Sequence, residues 1–345
     1  MLNTSTKLEK HPKISIITTS FNQGEFIEEN ILSIKSQQYP NYEHIIIDGG
    51  STDQTLSILE KHTKYIYWKS EEDRGQSHAL NKGIEQSSGD IIAIINSDDL
   101  LLPNALHSIA KEFNSSPKSV AVIHGGVIIF ENDKVLSRDY GYNTPTIERY
   151  LSGMSFSQPA AFIKKEALNT LDYVFDETLQ VAMDYDLFSR LSINYEFQQK
   201  DSLFAKYRIH KHSKTKKISK EFVSEWKTVF WNRICELSLH DVKKELLALK
   251  WDRANSKSSY YITTTLFQLD QSLLLFYHLS YCLRYAYWNG NKKEFKELKK
   301  YINTHFEKSL IHQEKDLLSI IRKSNWLPFW VILLLRKAKR FLSLP

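Results

Sequence analysis

Two adjacent carboxylates, Asp98 and Asp99, follow an uninterrupted apolar run at residues 91–95. A run of this kind is typical of a strand that is buried on both faces, and Pro103 after it fits the first turn of a helix. The carboxylates are therefore predicted to lie at the carboxyl end of a strand, which is the edge at which open α/β sheets bind ligands.

A pair of carboxylates at such an edge suits Mg²⁺ or Mn²⁺. These ions are usually held by one or two carboxylates and complete their coordination with water and substrate phosphates, so a nucleotide diphosphate is the expected third component. The residues alone leave an alternative open, in which Asp98 and Asp99 only solvate a strand end and cap a helix, because Asp is common at helix N-caps.

Alternating strand and helix patterns surround the pair and would position it. Buried-strand patterns occur at residues 13–20, 43–48, 65–69 and 91–96. Segments with apolar residues at helical spacing separate them, and this alternation predicts a largely parallel sheet with helices on its faces. Further predicted elements are strands near 120–123, 127–130 and 158–163, and helices at 105–113 and 182–191.

The length of 345 residues exceeds one typical domain of roughly 100 to 200 residues, so two domains are predicted. We expect a polar tail at 1–12, an α/β domain at 13–220 and an almost wholly helical domain at 221–345. The two cysteines, Cys235 and Cys282, provide neither a disulfide framework nor a CxxC metal spacing. Together with a polar N-terminus that lacks a secretory signal, they indicate a cytoplasmic protein.

Charge is distributed unevenly along the chain. Residues 1–205 contain 18 Lys+Arg and 28 Asp+Glu, whereas residues 206–345 contain 28 and 12. The basic half predicts an anionic partner, either nucleic acid or a membrane surface. An apolar, aromatic segment followed by a basic cluster at 326–345 is too short to span a bilayer but fits an interfacial anchor. A last helix packed against the helical domain is the alternative.

Several short motifs occur in an order and at a spacing that resemble family 2 glycosyltransferases. They are TTSFN at 18–22, IDGGSTD at 47–53, DRGQ at 73–76, ALNKG at 79–83, NSDD at 96–99 and MDYD at 183–186. The resemblance ends near residue 205. It implies the GT-A fold, a Rossmann-like and mostly parallel sheet flanked by helices, and an inverting transfer of a sugar from a nucleotide-diphosphate donor with Mn²⁺ or Mg²⁺.

The resemblance also implies roles for individual residues. Asp98 and Asp99 correspond to the family's DxD-type motif, with Asp99 on the metal and Asp98 on the metal or on the donor's ribose or sugar. His210 lies in a segment that approaches the diphosphate in many relatives, which makes it a further metal ligand; a solvated charge run is the alternative. Asp184 corresponds to the catalytic base, which takes the proton from the acceptor hydroxyl, and Asp186 is the second choice.

Donor recognition is expected mainly from the first two strand ends. The predicted nucleotide-sugar contacts are Thr19, Ser20, Asn22, Asp48, Arg74, Asn81 and Asp98. Gly49 replaces an acidic residue that many relatives carry, which leaves the identity of the base open, although a UDP-sugar is favoured. The alternative for Arg74 and Asn81 is that they are polar surface residues without a role in donor binding.

Other function classes fit parts of the sequence. A Rossmann dehydrogenase or a P-loop enzyme is excluded because the chain has no G-x-G-x-x-G and no G-K-[ST] loop. A nucleic-acid-binding protein would use the basic half, which lacks a recognised motif, and a non-catalytic scaffold would not need the acids at 98, 99 and 184. We therefore predict a metal-dependent glycosyltransferase with a glycan or lipid-linked acceptor of surface polysaccharide synthesis, peripheral at the cytoplasmic face of an anionic membrane, without a nucleic-acid partner.

Overall fold

The computed structural model describes residues 11–142, 146–211, 213, 220–251, 269–327, 329 and 331. The chain divides into two units. One comprises residues 1–150 and 154–217, and the other comprises residues 151–153 and 218–345. This division lies close to the domain boundary that the sequence predicts at residue 220.

Nine strands of the described residues form one sheet in the first unit. They are β1 (Ile14–Ser20), β2 (Tyr42–Asp48), β3 (Tyr67–Ser70), β4 (Ile91–Ile94), β5 (Leu100–Leu101), β6 (Val120–Glu131), β7 (Lys134–Asp139), β8 (Ala161–Lys164) and β9 (Glu196–Arg208). Their order is β3-β2-β1-β4-β8-β6-β9-β5, with β7 paired to β6.

Helices connect these strands, as the alternating pattern predicts. They are α1 (Ile27–Lys35), α2 (Thr55–Lys61), α3 (Gln76–Gln86), α4 (Ala105–Ser115), α5 (Ile147–Ser152), α6 (Lys165–Leu168) and α7 (Met183–Asn194), with a 3₁₀ turn at Gln158–Ala160 before β8.

The carboxyl ends of the first four strands meet at one edge of the sheet. β1 pairs in parallel with β2 and β4, and β2 pairs in parallel with β3. The register places Ser20 beside Asp48 and Asp48 beside Ser70. Residues 91–95 are at most 4% exposed, which accounts for their continuous apolar pattern in a strand covered on both faces. The edge predicted to bind ligands is therefore formed by the ends of β1 to β4.

The sheet differs from the sequence prediction after β4, where β5 and β7 were also not predicted. The strands predicted at 120–123 and 127–130 are one strand, β6, which turns into β7 through Asn132 and Asp133 with positive φ angles of 47° and 63°. The 13-residue β9 was not predicted, because its polar sequence gives little period-2 signal and its pairing partners are distant in sequence. β9 pairs with β6 and with β5, which brings its end to the turn that carries Asp98 and Asp99.

The second unit is helical throughout its described residues. Its helices are α8 (Lys220–Glu236), α9 (His240–Ala248), α10 (Gln271–Asn289), α11 (Lys292–His305), α12 (Lys308–Gln313) and α13 (Lys315–Trp326). Gly290 ends α10 in a left-handed conformation, as its position after the apolar run predicts. None of the described helices combines the length and apolar composition that a membrane span requires. Most of the predicted anchor at 326–345 lies outside the described residues.

Candidate active site

The turn at residues 96–99, between β4 and β5, carries the two predicted carboxylates. A buried amide on α1 fixes this turn, because Asn30 Nδ2 donates to the backbone oxygens of Asn96 (2.9 Å) and Asp99 (2.8 Å). Within the turn, the Asp99 N–H donates to the Asn96 carbonyl at 3.0 Å. The position of the carboxylates is therefore set by a polar residue on the buried face of a helix.

Asp99 is fully buried, and both of its carboxylate oxygens accept hydrogen bonds from the protein. Oδ1 accepts the Arg208 backbone N–H at 3.0 Å, and Oδ2 accepts Asn96 Nδ2 at 3.1 Å. Burial and, second, the charge of Asp98 raise the pKa of Asp99 well above its usual range. Asp99 thus holds the turn against the end of β9.

Asp98 points to His210 instead, with 2.9 Å between Asp98 Oδ2 and His210 Nε2. The Asp98 and His210 side chains are 22% and 12% exposed, so both reach the surface of the unit. Of the two carboxylates, Asp98 rather than Asp99 therefore lies beside His210, the predicted third ligand. The residues that the structure describes contain no group of three or more His, Cys, Asp and Glu side chains placed to hold a metal.

Arg208 connects His210 to the carboxylate turn. Besides its backbone bond to Asp99, its Nε donates to the Asp98 carbonyl at 2.9 Å, and its Nη2 pairs with Glu29. The guanidinium also lies 4.5 Å from the centre of the Phe130 ring. Arg208 is only 8% exposed, so it orders the turn from within the fold.

A cleft of about 420 Å³ adjoins His210 in the first unit. The His210 ring packs on Phe26 at a centroid distance of 4.5 Å. The lining residues come from the β1–α1 loop, the start of α2 and the segment after β9: Asn22, Gln23, Glu25, Phe26, Asp53, Gln54 and His210. The cleft is therefore bordered by one of the predicted metal ligands and one of the predicted nucleotide contacts.

The predicted nucleotide contacts at the ends of β1 and β2 organise the loops there. Asp48 is fully buried, and its Oδ2 accepts the N–H of Ser51 (2.8 Å) and the hydroxyl of Ser70 (2.7 Å). Asn22 adopts a left-handed conformation (φ 53°), and its Oδ1 accepts the Thr52 N–H at 2.9 Å. These contacts join the β1–α1 loop to the β2–α2 loop.

The hydroxyls at the end of β1 have a different environment. Ser20 Oγ is buried and has no hydrogen-bond partner among the described residues. Thr19 is half-buried at the same strand end. Within the described part of the chain, Ser20 Oγ is thus an unsatisfied polar atom at the carboxyl end of β1.

The structure places Arg74 and Asn81 against the segment that leads into α7. Arg74 Nη2 pairs with Glu177 Oε2 at 2.6 Å. The Asn81 amide makes two hydrogen bonds of 3.0 Å to the backbone of Phe175, one through Nδ2 and one through Oδ1. The side chains of both predicted nucleotide contacts thus bond to residues 175–177.

The two carboxylates at the start of α7 differ in environment. Asp186 is buried and accepts hydrogen bonds from Arg190 Nε (3.0 Å) and Nη2 (2.8 Å). Arg190 also donates to the carbonyls of Tyr173 (2.7 Å) and Val174 (2.5 Å). Asp184 is half-buried, and its Oδ1 accepts the Tyr185 N–H at 2.7 Å. The second choice of base is thus committed to a buried ion pair.

The sequence analysis missed the residues that hold the carboxylate turn. Asn30 carries a signal that could have revealed it, because it interrupts the apolar face formed by Ile27, Ile31 and Ile34 on α1. A polar residue on a buried helix face must find hydrogen-bond partners. Arg208 lies in the same family-like segment as His210, but its contacts to the carboxylate turn were not predicted, because the strand that ends at it was not predicted.

Comparisons with known proteins agree with this architecture. An uncharacterized glycosyltransferase of Rickettsia conorii is 25% identical over 249 residues, which are 68% of this chain and 39% of that protein. An uncharacterized glycosyltransferase of Mycobacterium tuberculosis is 39% identical over 90 residues, which are 26% of this chain and 34% of that protein. The matched part of this chain thus spans between a third and two fifths of the length of these relatives.

Solved structures show the same fold. The crystal structure of Staphylococcus aureus TarS residues 1–349 in complex with UDP-GlcNAc superposes with a TM-score of 0.56 and 18% identity, over 79% of this chain and 81% of that one. This likeness confirms the predicted fold class, an α/β domain of the GT-A type followed by a helical region. Residues 15–171 match the family model described as glycosyl transferase family 2. Over this segment, which is less than half of its length, the chain is similar to the family 2 glycosyltransferases.

Proposed function

We propose that this protein is an inverting glycosyltransferase that moves a sugar from a nucleotide-diphosphate donor to an acceptor hydroxyl with the help of a divalent cation. The observation that carries the proposal is the pairing of Asp98 and His210, 2.9 Å apart, beside the carboxyl ends of the parallel strands. In open α/β sheets this edge binds the ligand.

The Asp98 and His210 side chains fit a divalent cation. A carboxylate oxygen and an imidazole nitrogen converge at one partly exposed point, and Mg²⁺ or Mn²⁺ takes few protein ligands when substrate phosphates and water supply the others. Asp98 and His210 would thus hold Mn²⁺ or Mg²⁺, which when bound neutralises the charge that develops on the leaving diphosphate. Asp99, which the family resemblance also assigns to the metal, is fully buried and accepts hydrogen bonds from Asn96 and Arg208.

Asp184 is the proposed general base. It begins α7 together with Met183 and is half-buried, whereas Asp186 is neutralised by Arg190 inside the fold. A base must come within hydrogen-bond reach of the attacking hydroxyl, and the Asp186 carboxylate is buried and already paired with Arg190. The contrast between the two acids supports the assignment to Asp184.

The donor's nucleotide is proposed to bind where the loops after β1 and β2 meet. The partnerless hydroxyl of Ser20 supports this placement, together with the neighbouring Thr19 and with Asn22, which borders the cleft. Asp48 contributes by shaping the loop. Arg74 and Asn81 contact the segment before α7, so we assign them no nucleotide contact. We expect a UDP-sugar as donor.

The proposed acceptor is a glycan or a lipid-linked glycan, and the proposed location of the enzyme is the surface of an anionic membrane. Trp326 is 86% exposed at the end of α13, and Lys299 on α11 donates to Ser324 (2.8 Å) and Asn325 (2.6 Å) beside it. The exposed lysines of α11 are Lys292, Lys293, Lys296 and Lys300. An exposed Trp in the same unit as several exposed lysines suits the interface of an anionic leaflet. Deletion of 326–345 should abolish binding to phosphatidylserine vesicles, and unchanged binding would refute this location.

Calorimetric titration with UDP, GDP, dTDP and CDP, with and without Mn²⁺, tests the proposed donor site. One diphosphate should bind only with the metal, and Asp98→Asn and His210→Ala should each weaken that binding by at least about tenfold, the loss expected for one ligand. Asp172→Asn, which changes an exposed carboxylate of the same unit, is the matched control and should bind like the wild type. If no diphosphate binds under any condition, a scaffold role replaces the enzyme.

Release of the nucleoside diphosphate from UDP-glucose, UDP-GlcNAc and GDP-mannose tests the base. Asp184→Asn should lower turnover of the best donor by about 10²- to 10⁴-fold, the usual contribution of a general base, and leave the Kd of the diphosphate unchanged. Turnover at the wild-type rate would refute the assignment.

A further inference from the structure

The first turns of α3 contact two separate parts of the proposed site. On one side, Gln76 Nε2 donates to Asn96 Oδ1 at 3.0 Å, in the turn that carries Asp98 and Asp99. On the other side, the residues at 74, 77 and 81 contact the segment 175–179, which leads into the helix of Asp184. One helix therefore lies between the carboxylates of the donor side and the proposed base.

Contacts on the base side come from one face of the helix and from the residue before its N-cap. Positions 77 and 81 are four residues apart, the spacing of neighbours on one helix face, and Arg74 precedes the N-cap Gly75. Ser77 Oγ donates to the Leu179 carbonyl at 3.2 Å, and the Asn81 amide bonds both the N–H and the carbonyl of Phe175. Arg74 adds its ion pair with Glu177.

These contacts differ in strength. Arg74 is 69% exposed at its side chain, so its ion pair with Glu177 contributes little. The bonds of Asn81 to Phe175 and of Ser77 to Leu179 fix the backbone itself, and both Phe175 and Leu179 are buried. Asn81, with two backbone hydrogen bonds, is the main link on this side.

Contacts on the donor side reach the carboxylates through one further residue. Asn96 accepts from Gln76 through Oδ1 and donates through Nδ2 to Asp99 Oδ2 at 3.1 Å. A displacement of the first turn of α3 would therefore move the turn on which Asp98 is carried. The two sides are joined by a rigid helix whose residues Ala79, Leu80 and Ile84 are buried.

We propose that α3 sets the distance between the Asp98–Asp99 turn and Asp184, and that Asn81 is the positioning residue for the base. This inference rests on the proposed function and replaces the nucleotide contact that the sequence predicts for Asn81. α7 begins only four residues after Leu179, so an anchor at Phe175 and Leu179 fixes where Asp184 starts. A general base acts within hydrogen-bond reach of its proton, and an error of about 1 Å lowers the rate by about 100-fold.

Asn81→Ala tests the proposal, with Glu85→Ala as the matched control, since Glu85 is exposed on the same helix. Turnover of the sugar nucleotide that the wild type hydrolyses fastest among UDP-glucose, UDP-GlcNAc and GDP-mannose should fall by about 10- to 100-fold. The calorimetric Kd of its diphosphate with Mn²⁺ should stay within about twofold of the wild-type value, because the donor side is untouched. Glu85→Ala should change neither quantity.

Other results would overturn the inference. If Asn81→Ala binds the diphosphate more weakly but keeps the wild-type turnover at saturation, Asn81 is a nucleotide contact. If both the Kd and the turnover are unchanged, Asn81 has no role in the reaction. Should Asn81→Ala fail to fold, Ser77→Ala removes one hydrogen bond of the same face and is expected to lower turnover alone. Failure of the proposed function is distinguishable, because the wild type itself would then bind no diphosphate.

Discussion

His44 lies fully buried in β2, and its state of protonation makes the first unit sensitive to acid. Its Nε2 is 3.0 Å from Thr18 Oγ1, and burial lowers the pKa of His44 from 6.5 to about 3. The folded unit therefore holds this histidine neutral. In the unfolded chain the same side chain takes up a proton below pH 6.5, so the unfolded state binds more protons and stability falls as the pH falls from 6.5 toward 3.

The size of the effect follows from the two pKa values. Each pH unit within this window changes the free energy of unfolding by about 1.4 kcal/mol, so His44 contributes a loss of about 2 kcal/mol between pH 7.5 and pH 5. His44→Leu removes the titrating group without leaving Thr18 unpaired, because the Thr18 hydroxyl also donates to the Ile95 carbonyl at 2.8 Å.

Urea unfolding of the wild type and of His44→Leu at pH 7.5 and pH 5 measures this loss. The variant should lose about 2 kcal/mol less than the wild type between the two pH values. His124, whose pKa burial also lowers to about 3, contributes equally to both proteins and cancels in the comparison. His11→Leu, which changes an exposed histidine, is the control and should keep the wild-type loss. Equal losses in the wild type and His44→Leu would refute the reasoning.

Two further changes test buried polar contacts. Arg190→Met leaves Asp186 buried without its partner and should lower the free energy of unfolding by about 3–5 kcal/mol in urea; a loss below about 1 kcal/mol would contradict the pairing. Burial raises the pKa of Glu43, but hydrogen bonds from Lys13, Ser15 and Ser88 lower it by a larger amount. The net result is a pKa of about 2 instead of 4.5. Glu43→Gln should therefore destabilise the protein by about 1 kcal/mol at pH 7, and this difference should shrink below pH 4.5, as thermal melts would show.

Local patterns predicted the first half of the sheet well. β4 is a continuous apolar run, and β1 and β2 each contain three isoleucines within a short segment; such apolar clusters identify buried parallel strands without knowledge of their neighbours. The helical spacing of Ile27, Ile31 and Ile34 likewise predicted α1. The family motifs then placed the candidate acids at strand and helix ends, where their backbone positions follow from these elements.

Long-range pairing was beyond the reach of the same reasoning. β9 has a polar sequence and is a strand because β6 and β5 supply its hydrogen-bond partners, at separations that no local pattern encodes. This pairing also determines that the segment after β9, which carries His210, ends beside Asp98.

By itself, the sequence determined which residue types stand at the edge of the sheet, because hydrophobic periodicity fixes where strands end and the motifs fix which acids follow. Only the tertiary structure decided what each side chain contacts. It placed Asp98 beside His210 and buried Asp99, paired Asp186 with Arg190, and directed Asn81 to Phe175. The physical reason is that the direction of a side chain depends on partners brought together by folding, and these partners lie up to 112 residues apart in the sequence.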